Sequence, residues 1–540
     1  MFSKQGRDET LRNVESTEYD LLIVGGGITG AGVARDAASR GLKVLVVEAH
    51  DFASGTSSRS SKLVHGGIRY LENFEFGLVH EALTERRTLL EIAPHLVHPL
   101  RFVIPVYKNS RVGLFKLECG MILYDMLSMF EAPKLHEINW REGTLRHEPL
   151  LKGEDLTGSV TYSDAFMEDD RLVIETLRSA HNFGAQAVNY VKVLKVGETS
   201  EGCIVDIQDT EKQKSYRVRA RQVVGCVGPW TDIFGHQALD KWKDSLRPTK
   251  GVHLVFDRRR VPVAQAVVMA VEERIVFVIP RDNVVIVGTT DTDFSRDPSE
   301  VNTDAADVAY LLGVTNKYFP SLALRKADIV SCYSGVRPLV KDQAASEGKT
   351  SREHHIFNHS PRITLVAGGK YTTYRAMAEE IVETVLKKLP FEERMSRRAP
   401  RTKQPLNPRA TAEKIDRLMI QAAEVGEEFN VSADVVQYLA RRHGEEAYQV
   451  LQTLEKTGDV MEKMWAAEAR FSITNEMCFH LVDFFWRRSP LFLFQADHGA
   501  RYLRTLAAVF AARFGWSDSQ TQDEIARVEA QIAHDTQSLR

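Results

Sequence analysis

Four cationic residues of this chain fall in short motifs at the ends of predicted strands. They are Arg69 in Lys62-Leu-Val-His-Gly-Gly-Ile-Arg-Tyr70, Arg274 at the head of Arg274-Ile-Val-Phe-Val-Ile-Pro280, Arg337 in Tyr333-Ser-Gly-Val-Arg-Pro-Leu339, and Lys370 in a Gly-Gly-Lys junction. A guanidinium fork matches phosphate or carboxylate oxygens bidentately, so the set points to a small anionic substrate. Taken singly, each arginine reads more readily as a helix cap or a surface ion pair. Arg337 is better placed, because Gly335 and Pro338 are expected to fix a turn that aims it. His65, beside Gly66-Gly67, and His253, in Lys250-Gly-Val-His253, are candidates for proton transfer, since imidazole titrates near neutrality. With 17 histidines in the chain, any one of them is more often structural.

Such residues act on something, and the glycines say what kind of partner sits beside them. Leu21 to Val24 is a short apolar strand that runs into Gly25-Gly26-Gly27, with Gly30 completing G-x-G-x-x-G spacing. The first glycine allows the tight turn, Gly27 lets backbone amides approach a pyrophosphate, and Gly30 lets the following helix lie close to the sheet. A second strand ends at Glu48, where a carboxylate can accept hydrogen bonds from ribose hydroxyls. The next loop, Asp51 to Lys62, carries Thr56, Ser57, Ser58 and Ser61 with Lys62, and reads as a wrap around the pyrophosphate. Two later strands also close on small residues, one at Gly225 to Trp230 (with Gly228) and one at Gly368-Gly-Lys-Tyr-Thr372. Ligands bind at the carboxyl ends of strands in a doubly wound sheet. These distant termini are more economically explained by one long cofactor, FAD, than by several ligands. A helix starting near Lys370 would set its positive end against the flavin.

The elements that must hold these residues follow from periodicity. Residues 78–93 read as a helix, 101–107 and 160–162 as strands, and 169–183 as a helix ending at Gly184. Residues 188–208 and 216–227 alternate like antiparallel strands, and 274–280 with 284–291 form a hairpin. Residues 391–409, with Pro400, Pro405 and Pro408 among many cations, look like an interdomain linker, and 410–540 like a separate helical domain. Residues 1–18 are polar and read as a loose extension.

Composition narrows the class. The chain has 540 residues, 43% hydrophobic and 26% charged, with a net charge of −3. That is a multidomain globular protein with no general drive toward nucleic acid. Five scattered cysteines without C-x-x-C spacing fit a reducing compartment and argue against a disulfide framework or a metal site. No secretory signal is visible. The apolar stretch 112–130 is interrupted by Lys116, Glu118 and Asp125, which argues against a membrane span. The same stretch, rich in Leu, Met and Phe, suits an anchor lying in a membrane surface. Arg258 to Arg260 and Arg394, Arg397, Arg398 and Arg401 are the cations expected to meet its headgroups.

At these residues the chain resembles the FAD-dependent glycerol-3-phosphate dehydrogenases of respiratory, bacterial type. The resemblance rests on Ser60 to Glu72, Gly228-Pro-Trp230, Arg274 to Pro280, Gly288-Thr-Thr-Asp291, Tyr333 to Leu339 and Gly368 to Arg375, and weakens in the C-terminal helices. It implies an α/β plus α architecture of the D-amino-acid-oxidase type. Residues 17–100, 160–250 and 345–390 would form the FAD domain, and 101–159 with 251–344 an antiparallel-sheet substrate domain. The resemblance implies oxidation of glycerol 3-phosphate to dihydroxyacetone phosphate, with electrons passing to a membrane quinone. The protein would then sit on the cytoplasmic face of the inner membrane, with a homodimer left open. Carried over by motif, His65, Arg337 and Lys370 would be catalytic, and Arg69, Tyr70, His253 and Arg274 would bind substrate. Alternatives left open are an oxygen-using oxidase, a 2-hydroxy-acid or amine oxidoreductase, and a flavin-binding protein without turnover.

Overall fold

In a computed structural model, residues 2–271, 274–341 and 354–539 are described, with the side chains of residues 69 and 73 outside that description. Among them the chain builds two sheets and a helical domain. The first sheet runs in the order His354–Asn358, Ile363–Gly368, Lys214–Gly225, Glu18–Val24, Val44–Val47, Gln186–Val188. From Ile363–Gly368 to Gln186–Val188 every neighbouring pair is parallel. Leu21, Leu22 and Ile23, like all of Val44–Val47, are buried, as parallel strands covered on both faces must be. Helices Ile28–Ser39, Asp169–Asn182 and Tyr374–Leu386 cover one face. Their approach is close because Gly32 lacks a side chain: a Cβ there would stand 2.9 Å from the Tyr374 ring. The other face is closed by Val191–Glu198 and Cys203–Asp209, paired antiparallel to each other, the second of them also to the first half of Lys214–Gly225.

The second sheet runs Thr292–Asp293, Thr249–Asp257, Val284–Gly288, Arg274–Arg281, Ala266–Val271, Val97–Tyr107, Leu156–Met167, Leu63–Val64, with Ile329–Arg337 also paired to Thr249–Asp257. Side chains alternate between its faces. Val252, Leu254, Val276 and Val278 point to helix Ala305–Tyr318, while Val255, Ile279 and Tyr333 point the other way, toward helices Phe76–Ile92 and Leu114–Leu127. The C-terminal helices, from Ala412 to Asp535, enclose their own core around Leu439, Trp465, Phe484 and Phe510.

Several expectations are corrected. The N-terminal extension is not loose: Lys4–Asn13 is a helix, Phe2, Leu11 and Val14 are buried, and Arg7 bonds Asp209 at 2.7 Å. The strand read at 160–162 is the middle of Leu156–Met167. That strand pairs with Val97–Tyr107 along its length and so belongs to the second sheet. The return to the first sheet comes with helix Asp169–Asn182. The supposed linker is pinned: Arg35 donates to Thr402 O at 2.5 Å and Gln404 O at 2.6 Å, and Leu406 enters the main core. It reads as a linker because prolines fill its second half, yet it opens with helix Phe391–Ser396 and its carbonyls satisfy a buried guanidinium. Part of the expected third FAD segment, 345–353, lies outside the described residues.

Candidate active site

The glycine turn forms as the sequence requires. Gly25 has φ +106°, and a Cβ on it would lie 2.4 Å from Cys226 O, where the two parallel strands end side by side. A Cβ on Gly30 would lie 2.0 Å from Gly25 O, so only glycine lets helix Ile28–Ser39 pack over the turn. Gly27 is the N-cap and contributes no side chain, so backbone amides and Ser57 Oγ, which accepts from Ile28 N–H, meet at the helix's positive end, an end suited to an anion. Glu48 accepts from Gly26 N–H at 2.6 Å and His50 N–H at 2.9 Å, which places its carboxylate at the rim of the turn.

The loop 51–62 ties the turn to the second sheet more than it offers free hydroxyls. Ser57 Oγ accepts from Ile28 N–H at 3.0 Å, and Thr56 Oγ1 donates to Val336 O at 2.6 Å. Ser58 Oγ donates to Gly55 O at 3.4 Å, and Ser61 Oγ lies 2.8 Å from His253 Nε2. Lys62 is buried in an ion pair with Asp169. Burial alone would lower its pKa, but the Asp169 and Asp170 carboxylates outweigh that and hold it above the ordinary lysine value. Its charge is therefore committed within the protein. The strand end at Gly225 turns at Gly228 (φ +54°), and Gly55 packs flat on Trp230, a Cβ there falling 3.0 Å from the ring. Gly368 and Gly369 have φ of +77° and +90°. The helix expected near Lys370 starts at Tyr374, after one 3-10 turn over Tyr371–Thr373.

The chemistry-bearing residues converge where the two sheets meet. Thr372 Oγ1 accepts from His65 N–H at 3.2 Å, which holds the histidine segment on the glycine junction. Lys370 Nζ lies 3.7 Å from the Tyr70 ring centroid, a cation–π contact that joins the same two segments. The His65 ring stands 6.5 Å from Phe277, whose strand neighbour Gly288 lies opposite His253. His253 stacks on Tyr333 at 4.7 Å. Burial first, then the Arg337 and Lys62 charges, hold its pKa well below the usual histidine value, so the imidazole is neutral. Its Nδ1 is buried without a hydrogen-bond partner among the described residues.

Arg337 comes from the same face as His253 and Tyr333, but not by the turn expected. Gly335 lies inside strand Ile329–Arg337 and makes room for Arg59, since a Cβ on Gly335 would fall 2.8 Å from Arg59 Cβ. What aims Arg337 is Gly251 on the neighbouring strand: a Cβ there would fall 2.3 Å from Nη2 and 2.8 Å from Nη1. The guanidinium thus lies flat over Gly251. Thr289 Oγ1 at 3.0 Å, Thr290 O at 3.2 Å and Asp291 Oδ1 at 3.2 Å fix it there. Sequence reasoning passed over Gly251, although a glycine inside a strand, two residues before a singled-out histidine, is the usual mark of close approach.

Arg274 is not brought to this cluster. It shares a sheet face with Val276 and Val278, and its guanidinium lies 5.8 Å from the Tyr310 ring, on the face covered by helix Ala305–Tyr318. The hairpin register decides this, since Phe277 of the same strand faces the cluster. The Arg69 side chain is outside the described residues.

A Gly-lined turn at a helix N-terminus, a ribose-type carboxylate and a second glycine junction on the same parallel sheet suit a dinucleotide lying along the strand ends, as FAD would. Comparison with known proteins decides the matter. The family model of FAD-dependent oxidoreductases matches residues 20–375. The chain belongs to that family. A second model, the C-terminal domain of alpha-glycerophosphate oxidase, matches residues 412–521. Among curated relatives, the aerobic glycerol-3-phosphate dehydrogenases of Staphylococcus aureus strains MRSA252 and USA300 are each 34% identical over 542 residues, covering 97% of this chain and 96% of theirs. Among solved structures, the glycerol-3-phosphate dehydrogenase of Bacillus halodurans, complexed with FAD, superposes with a TM-score of 0.83 at 29% identity over 100% of this chain and 99% of that one. The glycine oxidase of Geobacillus kaustophilus, at 20% identity and a TM-score of 0.55 over 69% of this chain and 96% of that one, shares the fold alone. This FAD-dependent oxidoreductase therefore has the expected architecture: a D-amino-acid-oxidase-type FAD domain, a largely antiparallel second sheet and a helical C-terminal domain.

Proposed function

We propose that the protein oxidises glycerol 3-phosphate to dihydroxyacetone phosphate and passes the electrons to a membrane quinone. The observation that carries this reading is the guanidinium of Arg337 laid over Gly251, facing a cluster that also holds His253, His65, Lys370 and Tyr70. Full-length relatives bearing the glycerol-3-phosphate dehydrogenase name support the choice of substrate. When bound, FAD supplies a two-electron acceptor for the hydrogen on C2 of the substrate. Arg337 anchors the substrate through its anionic oxygens, a fork suited to phosphate. His65 takes the proton of the C2 hydroxyl, and Lys370 stabilises the oxygen as that proton leaves. Neutral His253, with Nε2 engaged by Ser61, directs Nδ1 as a hydrogen-bonding group and not as a charge.

The membrane part of the reading rests on a surface patch. In helix Leu114–Leu127, Phe115, Cys119, Ile122 and Met126 share one exposed face, and Phe115 is 82% exposed. Met129, Phe130, Trp140 and Phe74 are exposed as well, which is more apolar surface than scattered single residues provide. Leu114 and Leu117, by contrast, are packed against the core. Of the cations expected to assist, three are engaged in ion pairs: Arg259 with Asp257, Arg260 with Asp328 and Arg397 with Glu393. No helix among the described residues is long and apolar enough to cross a membrane. Insertion of this patch into one leaflet would bring the protein to a lipid-soluble acceptor.

Anaerobic addition of glycerol 3-phosphate should bleach the flavin, while lactate and amino acids should not; bleaching by those and not by glycerol 3-phosphate would overturn the assignment. The match of the C-terminal region to a glycerophosphate oxidase model supports a second reading in which oxygen is the acceptor. Oxygen consumption measured against quinone reduction separates the two.

A further inference from the structure

The C-terminal helical domain reaches the cofactor loop at one point. Helix Leu481–Asp483 runs into a π turn over Phe484–Arg488, closed by Ser489 N–H donating to Phe484 O at 2.9 Å, and then into helix Leu491–Phe494. Such turns are uncommon and frequently lie at functional sites. Here successive residues Arg487 and Arg488 point at one carboxylate. Arg488 Nη1 and Nη2 hold Asp51 Oδ2 and Oδ1, both at 2.9 Å, and Arg487 Nε bonds Oδ2 at 2.7 Å. Asn189 Nδ2 adds a bond to Oδ1 at 3.1 Å. Asp51 and Arg488 are fully buried. Burial would raise the Asp51 carboxyl, yet the guanidiniums, Arg488 foremost, bring it below the usual carboxylate range.

Asp51 is the first residue of the loop that lines the cofactor turn. Its carbonyl accepts from Ser54 N–H, and Ala53 N–H donates to Gly26 O at 3.1 Å. Phe52 packs on Gly26 so closely that a Cβ there would lie 2.6 Å from its ring. From this start the loop continues through Ser57 on Ile28 N–H and Thr56 on Val336, next to Arg337. The same C-terminal segment also grips the second sheet: Leu493 O accepts from Ser331 Oγ at 2.9 Å, and Phe494 O from Asn283 Nδ2 at 3.2 Å. One short stretch of the helical domain therefore braces the cofactor loop against the substrate-side sheet.

We propose that the segment 484–494 is a positioning strut for FAD. In this reading Arg488, assisted by Arg487, holds Asp51 and so fixes the loop 51–62 in the form that retains the cofactor. Neither arginine touches the reacting atoms. The inference rests on FAD binding by the glycine cradle and is independent of which alcohol is oxidised. A buried ion pair is costly to break one-sidedly, because the remaining charge is stranded. The informative variant is therefore Asp51→Asn combined with Arg488→Met, which removes both charges and leaves Arg487 paired with Asp483 at 2.6 Å.

The test is FAD affinity by flavin fluorescence, with melting of the apo and holo forms recorded separately. The expected result is FAD affinity weakened by about 5- to 150-fold, the usual range of coupling between two sites, with holo melting falling more than apo melting. A merely structural contact would lower both melting points together and leave affinity within twofold of wild type, and that outcome overturns the proposal. Should the double variant not fold, the wild-type protein decides. Coupling is reciprocal, so FAD must slow amide exchange across 484–494. Exchange there that is the same with and without FAD overturns the strut.

Discussion

Gly251→Ala is the most discriminating single change, because it alters no polar group and leaves the cofactor turn untouched. The new methyl would stand 2.3 Å from Arg337 Nη2, 2.7 Å from Cζ and 2.8 Å from Nη1. Ordinary contact distances are about 3.5–4.0 Å, so the guanidinium must retreat by roughly 1 Å. It is the end of a flexible side chain and can move, so folding should survive with little change in melting. The movement breaks its bonds to Thr289, Thr290 and Asp291, which set its direction. Losing one charge-assisted hydrogen bond to an anionic substrate costs about 1.5–3 kcal/mol. At about 1.4 kcal/mol per factor of ten, that is roughly 10- to 150-fold in kcat/KM. The assay is stopped-flow reduction of the flavin across a glycerol 3-phosphate titration, with FAD content measured on the same sample. The affinity term should carry most of the loss, and FAD content should be normal. A flavin-loaded variant with wild-type kinetics would refute the role of Arg337 as substrate anchor.

Three further outcomes follow. Gly27→Val should give a folded protein without FAD, since a Cβ at Gly27 meets only Ser57 Oγ at 3.1 Å, whereas Gly30→Ala should damage the fold itself through contact with Gly25 O; absorbance and melting distinguish the two. Charged substitutions at Phe115 and Ile122 should lower pelleting with anionic liposomes, and full pelleting by the folded variants would place the anchor elsewhere. His480 bonds Glu524 at 2.9 Å and lies 3.1 Å from Glu211. Burial opposes its charge, but these carboxylates raise its pKa to about 10. Because the folded value lies above the unfolded one of about 6.5, its contribution is whole below pH 6.5 and fades as pH rises through about 10. Melting of wild type and His480→Gln should therefore differ at pH 6 and converge above pH 10.

What could be read in the sequence was whatever depends on neighbours in the chain. The turn Gly25 to Gly30, Glu48 and the junction Gly368-Gly-Lys370 are local strand-to-helix geometry, and glycine spacing encodes it. Arg274 was misplaced because its direction depends on the register of two hairpin partners, and one residue of slip exchanges the faces. Arg337 is aimed by a residue its own neighbours do not reveal: Gly335 is close in sequence, while Gly251 is adjacent only across a strand pair. The N-terminal helix and the pinned segment 391–409 looked solvated because their polar residues find partners far along the chain, as Arg7 does with Asp209 and Arg35 with Thr402. Loop 51–62 reads as a phosphate wrap by its hydroxyls, yet Thr56 and Ser61 bond the second sheet and Ser57 caps helix Ile28–Ser39, partners that lie far along the chain.

The reach of the Asp51 contact also has a clock in it. Arg488 follows Asp51 by 437 residues. At a synthesis rate of about 5–20 residues per second, roughly 20–90 s separate the two residues leaving the ribosome. The Gly25 turn is available early, but the carboxylate that begins the cofactor loop has no cationic partner from the C-terminal domain until Arg487 and Arg488 emerge. Under the strut proposal, cofactor capture therefore follows the emergence of Arg488, after every strand of both sheets has been made. Nascent chains arrested before Arg487 should lose FAD on gel filtration, and chains released after Asp535 should keep it.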